Sequence, residues 1–405
     1  MKIHLLLIIS LIFTLPIVLF SQGDIVIGKI DSVQSKILGE NRKLMVYVPN
    51  DISNSKAFPV IYLLDGDAHF NSVVGIIQHL SSNTLMPQMM IVAIPNTNRN
   101  RDLTPTKAEP NPPLVPDGLS EQSGGGKNFL SFLDQELFPY IENKYPTASY
   151  RTFVGHSLGG LLVMDALQEQ PELFQSYIAV DPSLWWDNKS LLNSFKTTKF
   201  SNTKFNNKSL YLGIANTLDA GMDTISVKKA KGPMVNHINS IFETRDVLRS
   251  ITNDSFHFKS KFYTDDSHGS APLITTYDGL RFIFEFYQFE VQFSDVMKPN
   301  SDIVARMKAH YEYVSETLGY ENKPNEGLIN GMGYQLMEMN KLHLAGEFFK
   351  LNIAYYPKSY NVYDSLGDYY LATDNKPEAI MNFEKALALK ENPESRKKLE
   401  KLKSD

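Results

Sequence analysis

The five residues Gly155-His156-Ser157-Leu158-Gly159 form the clearest chemical pattern in this 405-residue chain. A G-x-S-x-G run between a strand and a helix is typical of a nucleophile elbow, in which a tight turn lifts the serine hydroxyl above the edge of a sheet. Here a strand-like apolar run, 151–154, precedes the pattern and a helix-like apolar run, 161–167, follows it. This context predicts Ser157 as a nucleophile; the competing interpretation is an ordinary glycine-rich turn.

A serine hydroxyl needs a base to take its proton, and after an elbow serine the chain order of the partners is acid, then histidine. His268 lies in a turn between Ser267 and Gly269, after the last predicted strand at 256–263. The other histidines precede the serine or lie in predicted strands, helices or the C-terminal tail. The sequence therefore predicts His268 as the base, against the alternative of a surface loop histidine.

The acid is expected after the predicted strand 209–215, where its carboxylate would orient the imidazole. Asp223 is the preferred candidate and Asp219 the second. A site with no third member stays open, because side-chain direction cannot be read from sequence.

Two backbone N–H groups are expected to stabilise the oxyanion, those of Leu158 and Asp67. The turn around Asp67 has the alternative interpretation of a simple helix cap. Trp185 and Trp186 are the only tryptophans and follow a predicted strand. Adjacent residues of an extended segment point in opposite directions, so the pair is expected either to line a substrate pocket or to pack in the core.

Strand-like and helix-like segments alternate between about residues 25 and 290, which predicts an α/β sheet covered on both faces. The predicted strands are 43–49, 58–64, 89–95, 151–154, 176–180, 209–215 and 256–263, and the clearest helices are 129–144 and 273–289. A segment rich in Pro, Asn and Gly, 96–127, has no periodicity and is expected to be functional or mobile.

The last third of the chain is helical in pattern and resembles itself at an interval of 34 residues. The matched pairs are Gly333 and Gly367, Ala345 and Ala379, and Phe349 and Phe383. This spacing predicts a helical linker from residue 300, two tetratricopeptide-like repeats at 326–359 and 360–393, and a capping helix at 394–403. An unrelated pair of helical hairpins is the alternative.

Composition limits the remaining classes. A formal net charge of −5 gives no electrostatic footprint for nucleic acid, and the absence of cysteine excludes disulfides, thiolate metal sites and a thiol nucleophile. Residues 1–21 have the pattern of a cleaved signal peptide, with an uncleaved anchor as the alternative. The mature protein is therefore expected in the periplasm or outside the cell, with no membrane span, and no metal or cofactor is expected.

Five motifs together resemble the putative esterase family of α/β hydrolases, which includes esterase D, siderophore esterases and mycolyltransferases. The motifs are Leu-Leu-Asp-Gly-Asp-Ala-His-Phe at 63–70, Arg-Asp-Leu-Thr-Pro-Thr at 101–106, Gly-His-Ser-Leu-Gly-Gly at 155–160, Asp-Pro-Ser-Leu-Trp-Trp-Asp at 181–187 and Asp-Ser-His-Gly at 266–269. The resemblance covers roughly 25–290 and implies an α/β-hydrolase fold with Ser157 as nucleophile and His268 as base. It also implies that a Ser-His pair can suffice, as in some siderophore esterases.

The expected function is a secreted serine carboxylic-ester hydrolase that works through an acyl-enzyme and resembles siderophore esterases of the enterochelin type. The expected substrate is a small-molecule, glycan or siderophore ester, with a protein partner possible through the repeats. The alternatives are an acyltransferase of the same fold and a repeat-based binding protein with a vestigial hydrolase domain.

Overall fold

A computed structural model describes residues 24–50, 57–108, 118–197, 205–251, 255–298 and 300–404. The predicted signal segment, 1–21, lies outside these ranges, so secretion stays a prediction. Among the described helices, none is both long enough and apolar enough to span a bilayer.

One eight-stranded sheet with the order β1-β2-β4-β3-β5-β6-β7-β8 forms the centre of the fold. Its strands are β1 (Lys29–Ser35), β2 (Glu40–Tyr47), β3 (Phe58–Leu64), β4 (Met90–Ile94), β5 (Thr147–His156), β6 (Ser176–Val180), β7 (Lys208–Ala215) and β8 (Phe256–Tyr263). β1 and β2 pair antiparallel, as do β2 and β4, and all other pairs are parallel. The sheet confirms the predicted α/β-hydrolase class.

Three strands, β3, β6 and β8, have the bounds that the sequence predicts. Every residue of β3, β4 and β6 is buried, as expected for parallel strands covered on both faces, and this is why their apolar runs are conspicuous in the sequence. β1 was not predicted. It is a polar edge strand that buries only Val33 and Ser35, so it lacks an apolar run.

The described residues form fifteen α-helices, of which the earlier ones connect and cover the strands and the last six form the C-terminal helical region. They are α1 (Gly66–Ser82), α2 (Arg99–Asp102), α3 (Gly126–Phe132), α4 (Phe138–Lys144), α5 (Leu158–Glu169), α6 (Trp186–Thr197, with left-handed residues 187–189 near its start), α7 (Pro233–Ile251), α8 (Ala271–Ile283), α9 (Phe293–Met297), α10 (Ile303–Leu318), α11 (Glu326–Glu338), α12 (Leu342–Tyr355), α13 (Tyr360–Ala372), α14 (Lys376–Leu389) and α15 (Pro393–Ser404). A π-helical turn, Leu133–Leu137, joins α3 to α4, so the predicted helix 129–144 is continuous.

The sheet separates two apolar cores. Alternate residues of β3 belong to different cores, Tyr62 to one and Ile61 and Leu63 to the other, because successive side chains of a strand point to opposite faces. Helices α3, α4, α5 and α7 cover the first face, and helices α1, α8 and α10 cover the second.

Helix α10 belongs to the core of the sheet although it begins the C-terminal helical region. Its residues Val314 and Leu318 are fully buried in one cluster with Tyr150 of β5 and Phe284. Immediately after the helix, a side chain on Gly319 would overlap Ser149. The helical region therefore packs at the amino-terminal half of β5, at the end of the strand away from Ser157.

The two predicted repeats correspond to the hairpins α11–α12 and α13–α14. A Cβ atom on Gly333 would lie 2.6 Å from the Phe349 ring, and one on Gly367 would lie 2.7 Å from the Phe383 ring. The same glycine–phenylalanine contact thus recurs at the 34-residue interval. Helix α15 packs on the second hairpin, with Leu399 in the Phe383 cluster. The tetratricopeptide interpretation stays a prediction that these contacts support.

Candidate active site

Ser157 occupies a strained turn between β5 and α5. Its backbone has φ 60° and ψ −115°, a conformation that costs a residue other than glycine about 1–3 kcal/mol. Three hydrogen bonds hold the turn: Ser157 N–H donates to Val180 O at 3.0 Å, and Ser157 O accepts from Ser183 N at 3.0 Å and Leu161 N at 2.9 Å. The sequence therefore forms the predicted elbow at the carboxyl end of the sheet.

The glycines around Ser157 are required by close packing. A side chain on Gly155 would overlap the carbonyl group of Gly159, and a Cβ atom on Gly160 would lie 3.0 Å from Pro182. The junction therefore requires glycine at 155, where the overlap is with backbone, and is tightly packed at 160.

His268 forms a hydrogen bond with Asp181, the residue that directly follows β6. The distance from His268 Nδ1 to Asp181 Oδ2 is 2.6 Å. The His268 side chain is 39% exposed, so its other ring nitrogen remains open to a reacting group, whereas Asp181 is fully buried. Ser157, Asp181 and His268 occur in the chain order that an elbow serine and its partners follow.

This pairing corrects the expected acid. The Asp223 carboxylate is exposed and accepts hydrogen bonds from the backbone N–H groups of Ser226 and Ile225, at 2.7 and 3.0 Å. These bonds, with that of Ser226 N–H the strongest, lower the pKa of Asp223 and assign it to a local turn. Asp219 is also exposed. The expected acids, Asp223 and Asp219, follow β7, whereas the carboxylate that contacts His268 follows β6.

The Asp181 carboxylate is surrounded by donors. Oδ1 accepts from Ala215 N at 3.0 Å, and Oδ2 accepts from His237 Nε2 at 2.9 Å as well as from His268. Burial by itself would raise the pKa of Asp181, but the hydrogen bonds from His237 and His268 outweigh it and hold the pKa well below its usual value. The carboxylate is therefore ionised at neutral pH. The sequence placed His237 on a helix but gave it no role.

Asp181, His237 and His268 are also a group that could hold a metal ion, since one ligand atom of each lies within 4.8 Å of the others. In the structure these atoms are joined by hydrogen bonds of 2.6 and 2.9 Å. A zinc ion bound at about 2.0–2.2 Å to each atom would have to replace both hydrogen bonds. The arrangement fits an orienting carboxylate better than a metal centre.

Two further histidines line the same region. The His156 ring lies 4.4 Å from the His268 ring and 5.8 Å from the His69 ring, centroid to centroid. Burial, and then the neighbouring His268 and His69, lower the pKa of His156 to about 4, and burial also lowers the pKa of His69. Both rings are therefore uncharged at neutral pH. Both histidines lie in motifs quoted above, 63–70 and 155–160, but the sequence did not predict that their rings lie near His268.

The loop after β3 is tied to the elbow by Arg99. The guanidinium donates to both carboxylate oxygens of Asp65, at 2.7 and 2.9 Å, and to the carbonyl oxygen of His156 at 3.1 Å. Asp67 lies in the first turn of α1 and Leu158 is the first residue of α5. Backbone N–H groups in the first turn of a helix have no partner within the helix, so both are available as donors.

The tryptophans are core residues. Trp185 and Trp186 are 6% and 1% exposed, and Trp186 Nε1 donates to Thr106 O at 3.0 Å. Of the two alternatives for this pair, the burial favours packing in the core over the lining of a substrate pocket. Ser183, for which the sequence predicts no role, has its hydroxyl oxygen 3.3 Å from that of Ser157.

Comparisons with known proteins show which family and fold the chain resembles. Residues 35–224 match the model of a family described as putative esterase. The chain is 33% identical over 191 residues to the ferri-bacillibactin esterase BesA of Bacillus subtilis, across 44% of this chain and 65% of that protein. It is 33% identical over 154 residues to the siderophore enterobactin esterase of Emericella nidulans, across 35% and 51%. The alignments thus span about half to two thirds of these curated relatives.

Two solved structures extend the similarity beyond these alignments. An IroE-like serine hydrolase from Shewanella oneidensis superposes with a TM-score of 0.64 at 28% identity, over 81% of this chain and 99% of that one. An uncharacterised protein from Capnocytophaga ochracea has a TM-score of 0.67 at 16% identity, over 93% and 100%. The second likeness concerns the fold alone and includes part of the C-terminal helical region.

Proposed function

Because residues 35–224 match the model of a family described as putative esterase, we propose that the protein is a serine hydrolase of this family that cleaves carboxylic esters through an acyl-enzyme. One observation carries the proposal: the elbow serine directly follows His156, whose ring lies 4.4 Å from that of His268, and His268 is hydrogen-bonded to a buried, ionised aspartate. These are the three roles that nucleophilic catalysis by serine requires.

In the first step, Ser157 Oγ attacks the ester carbonyl while His268 Nε2 takes its proton. Asp181 holds His268 Nδ1–H, so Nε2 presents its lone pair, and the same carboxylate stabilises the imidazolium that forms. The negative charge on the former carbonyl oxygen is stabilised by the N–H groups of Leu158 and Asp67, each worth about a hundredfold or more in rate. The alcohol leaves with the proton from His268, and the acyl group stays on Ser157.

In the second step, water replaces the alcohol. His268 takes a proton from the water, hydroxide adds to the acyl carbonyl, and the acid leaves as Ser157 recovers its proton. Because His69 and His156 are uncharged at neutral pH, neither ring places a positive charge beside His268. The residues of the site can therefore perform both proton transfers.

We infer that the substrate is a siderophore ester, because the names of BesA and the Emericella protein describe esterases of that class. We further propose, from the pattern of residues 1–21, that the protein acts in the periplasm or outside the cell. The proposed substrate class is more specific than the proposed reaction, so it is tested separately from the nucleophile.

Labelling with a fluorophosphonate, which reacts with activated serines, tests the nucleophile without knowledge of the substrate. We expect wild type to be labelled and Ser157→Ala to be inert, with the same result for hydrolysis of p-nitrophenyl acetate. Labelling that persists in Ser157→Ala would contradict the proposed nucleophile. A panel of iron-loaded and iron-free siderophore esters, with simple aryl esters as the comparison, tests the substrate. A kcat/KM for every siderophore ester below that for p-nitrophenyl acetate would contradict the proposed substrate class.

A further inference from the structure

His237 is a buried histidine that contacts the same carboxylate as the base. It lies on α7 and is 2% exposed, and its Nε2 lies 2.9 Å from Asp181 Oδ2. The rings of His237 and His268 are 5.5 Å apart and nearly perpendicular, so they approach Asp181 from two directions. Asp181 thus receives one histidine from the loop after β8 and another from α7.

The tautomer of His237 follows from its surroundings. Its Nδ1 is buried and has no hydrogen-bond partner among the described residues, whereas its Nε2 faces a carboxylate oxygen. An ionised carboxylate only accepts hydrogen bonds, so Nε2 carries the proton and donates. The ring is held by burial, since His237 is 2% exposed, and by its contact with Asp181.

The donors around Asp181 divide between its two oxygens. Ala215 N–H fixes Oδ1, and both histidines donate to Oδ2. Without His237, the partners of this carboxylate among the described residues would be one backbone donor and the partly exposed His268. A carboxylate held by a rigid helix directs its charge at a fixed point, which orients the base that it contacts.

We propose that His237 is a positioning residue: its Nε2–H fixes the Asp181 carboxylate, which in turn orients His268 toward Ser157. This inference rests on the proposed function, because the orientation matters only if His268 activates the serine. His237 does not touch the substrate and acts through Asp181. Its loss should therefore lower kcat and the rate of serine labelling while KM stays the same.

The test compares four variants by their rate of fluorophosphonate labelling and by kcat and KM for p-nitrophenyl acetate. His237→Gln can place an amide N–H near the Nε2 position, whereas the shorter His237→Asn cannot reach Asp181 Oδ2, and His237→Leu fills the space with no donor. Thr244→Val is the matched control, since this buried residue of α7 donates only to Ser240 O. Circular dichroism and melting temperature establish folding for each variant.

We expect labelling to slow about tenfold in His237→Leu and His237→Asn, as for the loss of one charge-assisted hydrogen bond. His237→Gln should recover to within about threefold of wild type, and Thr244→Val should match wild type. If His237→Leu fails to fold, the contrast between Gln and Asn decides. Equal rates in these two folded variants would overturn the proposal for His237. Labelling that survives in Ser157→Ala would instead overturn the proposed function, so the two failures are distinguishable.

Discussion

The two ends of the parallel strands differ in what they contain. At the carboxyl ends, the first residue after each of β3, β5 and β6 has a positive φ: Asp65 at 51°, Ser157 at 60° and Asp181 at 40°. Each such residue costs about 1–3 kcal/mol. At the other end of β5, helix α10 packs against Tyr150 and Phe284 through apolar contacts.

This difference shows that the strained turns and the stabilising apolar contacts of α10 lie at opposite ends of the parallel strands. The strained turns place Ser157 and Asp181 beyond the carboxyl ends of their strands, where His268 contacts Asp181, and backbone hydrogen bonds hold both turns. The apolar contacts of α10 add burial at the amino ends of the strands, which have no role in the proposed chemistry. Changes at the carboxyl ends should therefore alter activity, and changes at the amino ends should alter stability.

The largest effect is expected for Ser157→Ala. Loss of the nucleophile should reduce kcat for p-nitrophenyl acetate by at least about ten-thousandfold, because no other group can form the acyl-enzyme. The melting temperature should stay the same or rise, since alanine removes only a hydroxyl. A variant with more than about one per cent of wild-type activity would show that the nucleophile lies elsewhere.

A matched pair of aspartates tests which carboxylate serves the base. Asp181→Asn should lower kcat about a thousandfold or more, because an amide no longer selects the correct tautomer of His268. Asp223→Asn should stay within about twofold of wild type, since its carboxylate contacts only a local turn. The reverse ranking, measured on folded proteins, would restore the acid expected from sequence.

Two truncations test the packing of α10 at the amino end of β5. A chain that ends after Tyr287 lacks α10 and exposes Tyr150 and Phe284, and losing Val314 and Leu318 removes about 1.5–3 kcal/mol of burial for each. We expect this protein to be insoluble or to melt at a much lower temperature. A chain that ends after Gly319 keeps α10 and should be soluble and active. A stable, active protein from the shorter chain would mean that α10 is dispensable.

The smallest effect is expected for Asp165, a buried residue of α5. Burial, with a smaller contribution from Glu169, raises its pKa to about 7, so folding favours the protonated acid. The folded protein should lose stability as pH rises from about 4, where an unfolded aspartate ionises, to about 7, by on the order of 2–4 kcal/mol. Asp165→Asn should therefore raise the melting temperature at pH 8 and leave it unchanged at pH 4. An equal effect at both pH values would contradict the raised pKa.

Local patterns determined much of the fold. The buried strands were predictable because covered parallel strands need continuous apolar runs, and β3 and β6 have the predicted bounds. The elbow was predictable because its turn is local, and a side chain on Gly155 would overlap Gly159 four residues later. The contacts of Gly333 and Gly367 follow the 34-residue interval for the same reason, since each lies within one hairpin.

Only the tertiary structure decided which side chains meet. Asp181 and His268 are 87 residues apart, and their contact depends on where β6 ends relative to the loop after β8. Asp181 and Asp223 each follow a predicted strand, so local sequence does not distinguish them, and the burial of Trp186 depends on the loop that supplies Thr106 O. The sequence by itself thus determined the elements and the elbow turn at Ser157, because these depend on near neighbours. The carboxylate that contacts His268, its second histidine and the burial of the tryptophans depend on how distant strand ends pack together.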